Sequence, residues 1–90
     1  MSFYLVSYDL IKNKNYDELQ KKIETADEWC KPLKSLYIIK SDLSANQIIN
    51  ILQNTIDADD RLIVSRLSIS KASAWLHMTP EVSIWLKANL

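Results

Sequence analysis

Glycine is absent from the 90-residue sequence. Glycine-rich loops are the usual means by which a backbone closely approaches a phosphate, so the sequence excludes the standard phosphate-binding loop and dinucleotide-binding fingerprint. Turns that need a positive φ must use another residue type, and asparagine and aspartate tolerate that conformation best. The candidates for such turns are Asn13, Asn15, Asp57 and Asp59.

Cysteine and histidine each occur only once, as Cys30 and His77. A single cysteine cannot form an internal disulfide, and neither residue has a partner at the spacing typical of a zinc site. We expect Cys30, placed by the sequence pattern near a helix end, to be a buried and unreactive thiol in a reducing cytoplasm. His77 is expected to pack beside the last helix, and a role as a general base stays open.

Long apolar runs and an excess of one charge are also missing. No stretch is long enough to span a bilayer and no signal-peptide pattern precedes the first strand, so we expect a soluble protein without a membrane partner. Eleven Lys and Arg balance eleven Asp and Glu, whereas strong nonspecific nucleic-acid binders usually carry a basic excess. The neutral balance disfavours such binding, although charge polarised on one surface would still allow it.

The apolar content is sufficient for one packed domain. Aliphatic and aromatic residues make up 48% of the chain and include three tryptophans, which supports a core without disulfide or metal cross-links. We expect that core to lie in residues 3–67, followed by a C-terminal arm and helix over residues 68–90. Part of the apolar surface is available to bury against a second copy.

Strand and helix patterns alternate along the chain. Strand patterns rich in β-branched and aromatic residues cover 3–8, 34–41 and 61–67. Helix patterns cover 16 to about 28, a segment that begins at Ser44, and a last segment that begins at Thr79-Pro80. Residues 68–78 allow either a short edge strand or an extended arm.

Capping residues mark the first two helices, and Pro32 ends any continuation of the first. Asn15 with Glu18, and Ser44 with Gln47, stand at capping-box spacing. If residues 32–43 form a broken pair of strands, the order becomes βαββαβ, an α/β (α+β) ferredoxin-like fold. Both helices would then cover one face of an antiparallel sheet, and either the tail or a second subunit would cover the other.

Three segments resemble a known family. Residues 3–10, which end in Ser7-Tyr8-Asp9-Leu10, resemble the first strand of Cas-two, the small CRISPR-associated protein of the spacer-integration complex. Residues 36–44 resemble that family's second strand and the start of its second helix, and residues 59–64 resemble its turn and following strand. Virulence-associated protein D (VapD) and stand-alone Cas-two-like proteins share this outline, which here covers about residues 3–67.

The resemblance implies a ferredoxin-like homodimer whose two sheets face each other. It places Asp9 of both subunits at the dimer axis, where the pair would hold Mg²⁺ or Mn²⁺ for phosphodiester hydrolysis, as in a metal-dependent endoribonuclease. Tyr8, Lys12 and Lys14 are the candidate contacts to RNA or DNA. The chain departs from the family pattern by lacking its arginines after the aspartate and in the first helix, by having Ile39 in place of an aromatic, and by its changed tail.

The residues themselves leave several functions open. Asp9 either supplies a metal ligand or accepts backbone hydrogen bonds where the chain leaves the sheet. Asp57, Asp59 and Asp60 are better explained as a solvated turn than as a cation loop. The alternatives to a nuclease are a catalytically silent module that binds a protein partner through its sheet faces and tail, with Trp75 as a dimer anchor, and a small-molecule sensing domain.

Overall fold

The computed structural model describes residues 1–10, 16–68 and 73–90. In this part of the chain four strands alternate with helices in the order βαββαβα. The elements are β1 (Ser2–Asp9), α1 (Asp17–Ile23), β2 (Glu28–Leu33), β3 (Leu36–Ser41), α2 (Ala45–Leu52) followed by a 3₁₀ turn (Gln53–Thr55), β4 (Arg61–Leu67) and α3 (Pro80–Asn89).

The four strands form one antiparallel sheet in the spatial order β2-β3-β1-β4. β1 lies in the interior and pairs on both sides, so that Val6 stands opposite Tyr37 on β3 and Val64 on β4. The strand order and the two helical crossovers are those of a ferredoxin-like fold. The predicted fold class is confirmed, and so are the bounds of the strand at 61–67.

The hairpin between α1 and α2 begins earlier than the sequence predicted. Helix α1 ends at Ile23, and β2 takes up Glu28–Leu33, where the helix was expected to reach about residue 28. Trp29 packs its ring against Tyr37 at 5.7 Å between centroids. Pro32 does not stop a helix but lies in an edge strand, which tolerates a residue without an N–H donor. The register of β2 shifts between Cys30 and Leu33.

The first hydrophobic core lies between the sheet and helices α1 and α2. Tyr37, Leu19 and Val6 are its most deeply buried large side chains. At the start of α2, the predicted capping box is confirmed: the Gln47 N–H donates to the Ser44 hydroxyl and the Ser44 N–H donates to the Gln47 side chain. The predicted Asn15 cap of α1 lies outside the described residues.

The second face of the sheet is covered in part by the chain's own tail. Helix α3 buries Leu86 against Phe3 and Ile38, and the Trp85 ring meets Phe3 edge to face at 6.1 Å. Thr79 caps α3 by accepting a hydrogen bond from the Val82 N–H. The sequence allowed either the tail or a second subunit to cover this face. Within a single copy, the tail covers part of it.

Trp75 belongs to this intramolecular packing. It packs against the second core, and its Nε1 donates to the Ser83 hydroxyl at 3.1 Å. The prediction that Trp75 anchors a dimer stays a prediction, since these contacts are those within a single chain. Residues 73–79 form no strand, so the described part of the arm is extended chain.

One residue in the described part of the chain has a positive φ, and it is His77 (φ 59°). Asp57 and Asp59 were predicted for this role, and that prediction is wrong; Asn13 and Asn15 lie outside the described residues. Histidine is among the residue types that enter the left-handed region more readily than most. His77 is exposed and redirects the chain just before α3, where a glycine would be usual.

The attachment of α3 can be tested by truncating Leu86. Because Leu86 is 3% exposed and contacts the sheet, we expect Leu86→Ala to lower the free energy of unfolding by about 2–4 kcal/mol. The matched control is Ile84→Ala on the same helix, since Ile84 is 69% exposed and its loss should have little effect. Urea denaturation measures both. Equal losses in the two variants would contradict the packing of α3 on the sheet.

Candidate functional site at the end of strand β1

Asp9 is the last residue of β1, and its side chain is exposed. It stands directly opposite Arg61 at the start of β4, and Ser7 stands opposite Ile63. These side chains line a shallow depression of about 200 Å³. The position predicted for Asp9, where the chain leaves the sheet, is therefore where the structure places it.

The depression belongs to a larger surface that α3 leaves uncovered. Side chains alternate between the two faces of a strand, so Leu5, Ser7 and Asp9 share the face on which Phe3 meets α3. We call the β1–β4 part of this side the open face. It consists of three cross-strand pairs, Leu5 with Ser65, Ser7 with Ile63, and Asp9 with Arg61.

The open face combines apolar and charged groups. Ile63 at its centre is 58% exposed. Asp9 and Arg61 bring opposite charges to one end of it, and oppositely charged residues paired across strands attract each other weakly in water. The open face therefore presents an exposed apolar side chain close to a pair of opposite charges.

The acidic turn before β4 lies at the same end of the sheet as Asp9. Carboxylate oxygens of Asp57, Asp59 and Asp60 all lie within 4.8 Å of one another. The Asp57 N–H donates to Oδ2 of Asp60 at 2.8 Å, so Asp60 closes the turn. This hydrogen bond is a structural reason for the turn's acidic composition, as predicted for a solvated turn.

A single copy does not offer a complete magnesium site at Asp9. Among the described residues no group of three potential ligands includes Asp9, and the neighbouring Ser7 hydroxyl donates to the Ser35 carbonyl at 3.2 Å. Mg²⁺ needs several oxygen ligands, commonly including one or two carboxylates. The donor set here fits the ion only if a second Asp9 comes from another copy.

Tyr8 does not present a ring on which a base could stack. Its side chain is 4% exposed and belongs to the first core. Its hydroxyl donates to the Lys34 carbonyl at 3.2 Å and accepts from Nε2 of Gln20 at 3.1 Å. The structure therefore gives Tyr8 a packing role. The other two predicted nucleic-acid contacts, Lys12 and Lys14, lie outside the described residues.

Tyrosine hydroxyls at the core make hydrogen bonds that the sequence did not reveal. The Tyr37 hydroxyl donates to Oε2 of Glu24 at 2.5 Å, and the Tyr4 hydroxyl donates to the Leu43 carbonyl at 2.6 Å. Burial, and then the Glu24 carboxylate, raise the pKa of Tyr37 far above its usual value. Burial likewise raises the pKa of Tyr8. The signal available in the sequence was the presence of tyrosines at alternating positions of strand patterns.

In the part of the chain that the structure describes, neither Cys30 nor His77 belongs to a group of potential metal ligands. Cys30 lies in β2 rather than at a helix end, and burial raises the pKa of its thiol. A raised thiol pKa disfavours the nucleophilic thiolate, in agreement with the predicted inert role. His77 is exposed in the arm and does not pack beside the last helix as predicted.

No protein-family model matches the chain, and comparisons with curated proteins and with solved structures find no match either. Among the described residues, no helix combines the length and the apolar character that crossing a membrane requires.

The raised pKa of Tyr37 predicts how the free energy of unfolding depends on pH in the alkaline range. Because the pKa of Tyr37 is raised in the folded state, the unfolded chain releases the tyrosine proton first as pH rises. Its contribution to stability is therefore complete below about pH 10 and is lost progressively above it. We expect Tyr37→Phe to flatten the fall in the free energy of unfolding between about pH 9 and pH 11, as measured by urea denaturation.

The control for this prediction is Trp29→Phe. It weakens a ring contact to Tyr37 but removes no ionisable group, so it should lower stability by a similar amount at every pH. A Tyr37→Phe variant that keeps the wild-type pH dependence would show that Tyr37 does not contribute to the alkaline loss.

Proposed function

We propose that this chain is a homodimeric interaction module of the Cas-two-like and VapD-like type, which acts by binding rather than by catalysis. The observation that carries the proposal is the open face, where α3 leaves Ile63 58% exposed in the edge strand β4. Apolar side chains exposed on a regular, rigid sheet are the usual basis of protein–protein contact.

The chemistry at Asp9 supports binding over catalysis. One copy brings a single exposed carboxylate to the depression, and Arg61 stands opposite it. The hydroxyls of the two preceding residues, Ser7 and Tyr8, are occupied in hydrogen bonds to the backbone carbonyls of residues 35 and 34. Asp9 and Arg61 are then best explained as charges that orient a partner on the open face.

The C-terminal tail adds a second exposed apolar surface. Leu76 in the arm and Ile84 on α3 are 73% and 69% exposed. We assign these side chains to contact with a protein partner of the homodimer, since they lie outside the strands that carry the open face. A module of this kind would hold two partner molecules in a fixed relative position.

Self-association is the first test of this function. We expect the full chain to sediment as a dimer, and Ile63→Lys to weaken the dimer because it places a charge in an apolar contact. Ile84→Lys is the control, since it adds the same charge to an exposed apolar site on α3. Sedimentation velocity over a range of concentrations measures all three proteins. A monomeric wild type, or equal weakening by both variants, would contradict the proposal.

A second candidate function is a metal-dependent endoribonuclease centred on Asp9. The observation that favours it is that acidic side chains lie together at one end of the sheet. Asp9 ends β1 there, and the acidic turn comes directly before Arg61, the residue of β4 that pairs with Asp9. A divalent cation there would supply charge neutralisation for a phosphodiester and an activated water. Asp9 of each copy would hold the cation and orient the phosphate.

One experiment separates binding from catalysis. RNA is incubated with metal-stripped protein, with and without Mg²⁺ or Mn²⁺, for the wild type, Asp9→Asn and the control Asp27→Asn. Because one copy offers an incomplete metal site, we expect no metal-dependent cleavage that depends on Asp9. Cleavage that needs the metal, is lost in Asp9→Asn and is kept in Asp27→Asn would establish the nuclease instead. Equal cleavage by all three proteins would indicate a contaminating enzyme.

A further inference from the structure

The two edges of the sheet differ in how they would receive another strand. β2 contains Pro32, its register shifts between Cys30 and Leu33, and α3 packs against it. Proline and irregular pairing are devices by which natural sheets block an edge. β4 has neither feature, since it contains no proline and pairs with β1 in an unbroken register over seven residues. Of the two edges in the described part of the chain, the one at β4 therefore lacks these two blocking features.

β4 is also self-complementary in charge and hydrophobicity. Its exposed Ile63 lies near the middle, Asp60 comes just before its first residue, and Arg66 lies near its end. Two copies of a strand that run antiparallel bring the beginning of one next to the end of the other. An acidic residue at the beginning and a basic residue at the end then attract each other twice, once on each side of the two-fold axis.

We infer that β4 of a second copy pairs antiparallel with β4 and extends the sheet to eight strands. In this register Ile63 stands opposite the partner's Ile63 on the two-fold axis. Going outward from the axis, Leu62 faces the partner's Val64, Arg61 faces the partner's Ser65, and Asp60 faces the partner's Arg66. This inference rests on the proposed function, because it names the surface through which the homodimer forms.

The composition of β4 distinguishes this register from its neighbours. A register with Val64 on the two-fold axis would place Leu62 opposite the partner's Arg66, and Ile63 opposite the partner's Ser65. Apolar side chains would then face polar or charged ones, and the cross-strand attraction of opposite charges would be lost. The exposed ion pairs add little affinity, but they select the register.

Strand addition at β4 keeps the two Asp9 carboxylates apart. Asp9 lies one strand inward from β4 and two residue pairs along from Ile63. With strands about 4.8 Å apart and about 3.4 Å per residue, the two Asp9 residues would be about 20 Å from each other across the axis. Such a dimer cannot place both carboxylates on one cation, so it agrees with a binding function and not with the paired-aspartate nuclease.

Disulfide trapping in the full chain tests the register. Residues directly opposite in antiparallel strands have Cα atoms about 4.5–5.5 Å apart, within the range that a disulfide spans. Ile63→Cys should therefore form a dimer-linking disulfide under mild oxidation. Ser65→Cys is the matched control, because its Cα would lie about 14 Å from its counterpart. We expect Ile63→Cys to cross-link at least about tenfold faster, on non-reducing gels. The native Cys30 is buried and serves as an internal control.

Charge exchange tests the same register without a covalent bond. Arg66→Glu alone and Asp60→Arg alone each place like charges opposite each other at both ends of β4, so each should raise the dimer Kd roughly tenfold. Because Asp60 also accepts the Asp57 N–H that closes the turn, Asp60→Asn, which keeps an acceptor oxygen, is the control for loss of the turn. In an equimolar mixture of the two charge-reversed variants, every end again carries opposite charges. We expect the mixture to recover the wild-type dimer as a heterodimer, which sedimentation velocity and native mass spectrometry detect.

The outcomes separate this inference from the proposed function. Cross-linking at Ile63→Cys together with heterodimer recovery supports the β4 pairing. A wild-type dimer that neither variant cross-links, or a dimer that cross-links as fast at Ser65→Cys, overturns the β4 register and leaves the homodimeric module standing. A wild type that stays monomeric at every concentration overturns both.

Discussion

The structure depends on β1, which pairs with a strand along each of its edges and carries apolar side chains on both of its faces. Phe3 and Leu5 point to one side of the sheet, and Tyr4, Val6 and Tyr8 point to the other. A strand of this kind must be covered on two faces, because each uncovered face would leave large apolar area in water. The two helical crossovers cover one face completely, since both α1 and α2 lie on that side.

The cover of the other face is shorter than the sheet, and this difference creates the candidate site. α3 has ten residues and reaches Phe3 and Ile38, at one end of β1 and in the middle of β3. The end of β1 that carries Asp9, together with the facing half of β4, remains outside its reach. On the open face, the single chain thus supplies the strands β1 and β4, but α3 does not extend far enough to cover them.

This geometry also favours one approach of a second copy in the proposed dimer. A dimer in which the two sheets stack fully face to face, as the family resemblance implies, would have to displace α3 from Phe3 and Leu86 from its buried position. The outer edge of β4 needs no such rearrangement, because neither proline nor an irregular register blocks it. The two arrangements assign different roles to Asp9: a metal ligand at the axis in the stacked dimer, and an orienting charge beside Arg61 in the extended sheet.

Local signals in the sequence were enough for the elements whose cause is local. The Ser44–Gln47 capping box, the Thr79 cap and the strand at Arg61–Leu67 follow from side chains within a few residues of one another. The signals failed around Pro32, because the meaning of a proline depends on whether its strand lies at the edge of a sheet. They failed also for the left-handed turn, which falls at His77 because α3 has to turn back onto the sheet.

For the site, the sequence by itself determined that an acidic residue stands where the first strand ends, since a carboxylate does not continue a buried run. Periodicity and caps also predicted the ferredoxin-like order of elements, on the condition that residues 32–43 formed a broken pair of strands. Only the tertiary structure decided that Tyr8 is buried, that Arg61 faces Asp9 and that α3 leaves Ile63 exposed. These facts arise from pairing between residues about 50 positions apart, and strand register over that separation is set by packing of the whole sheet rather than by any local pattern.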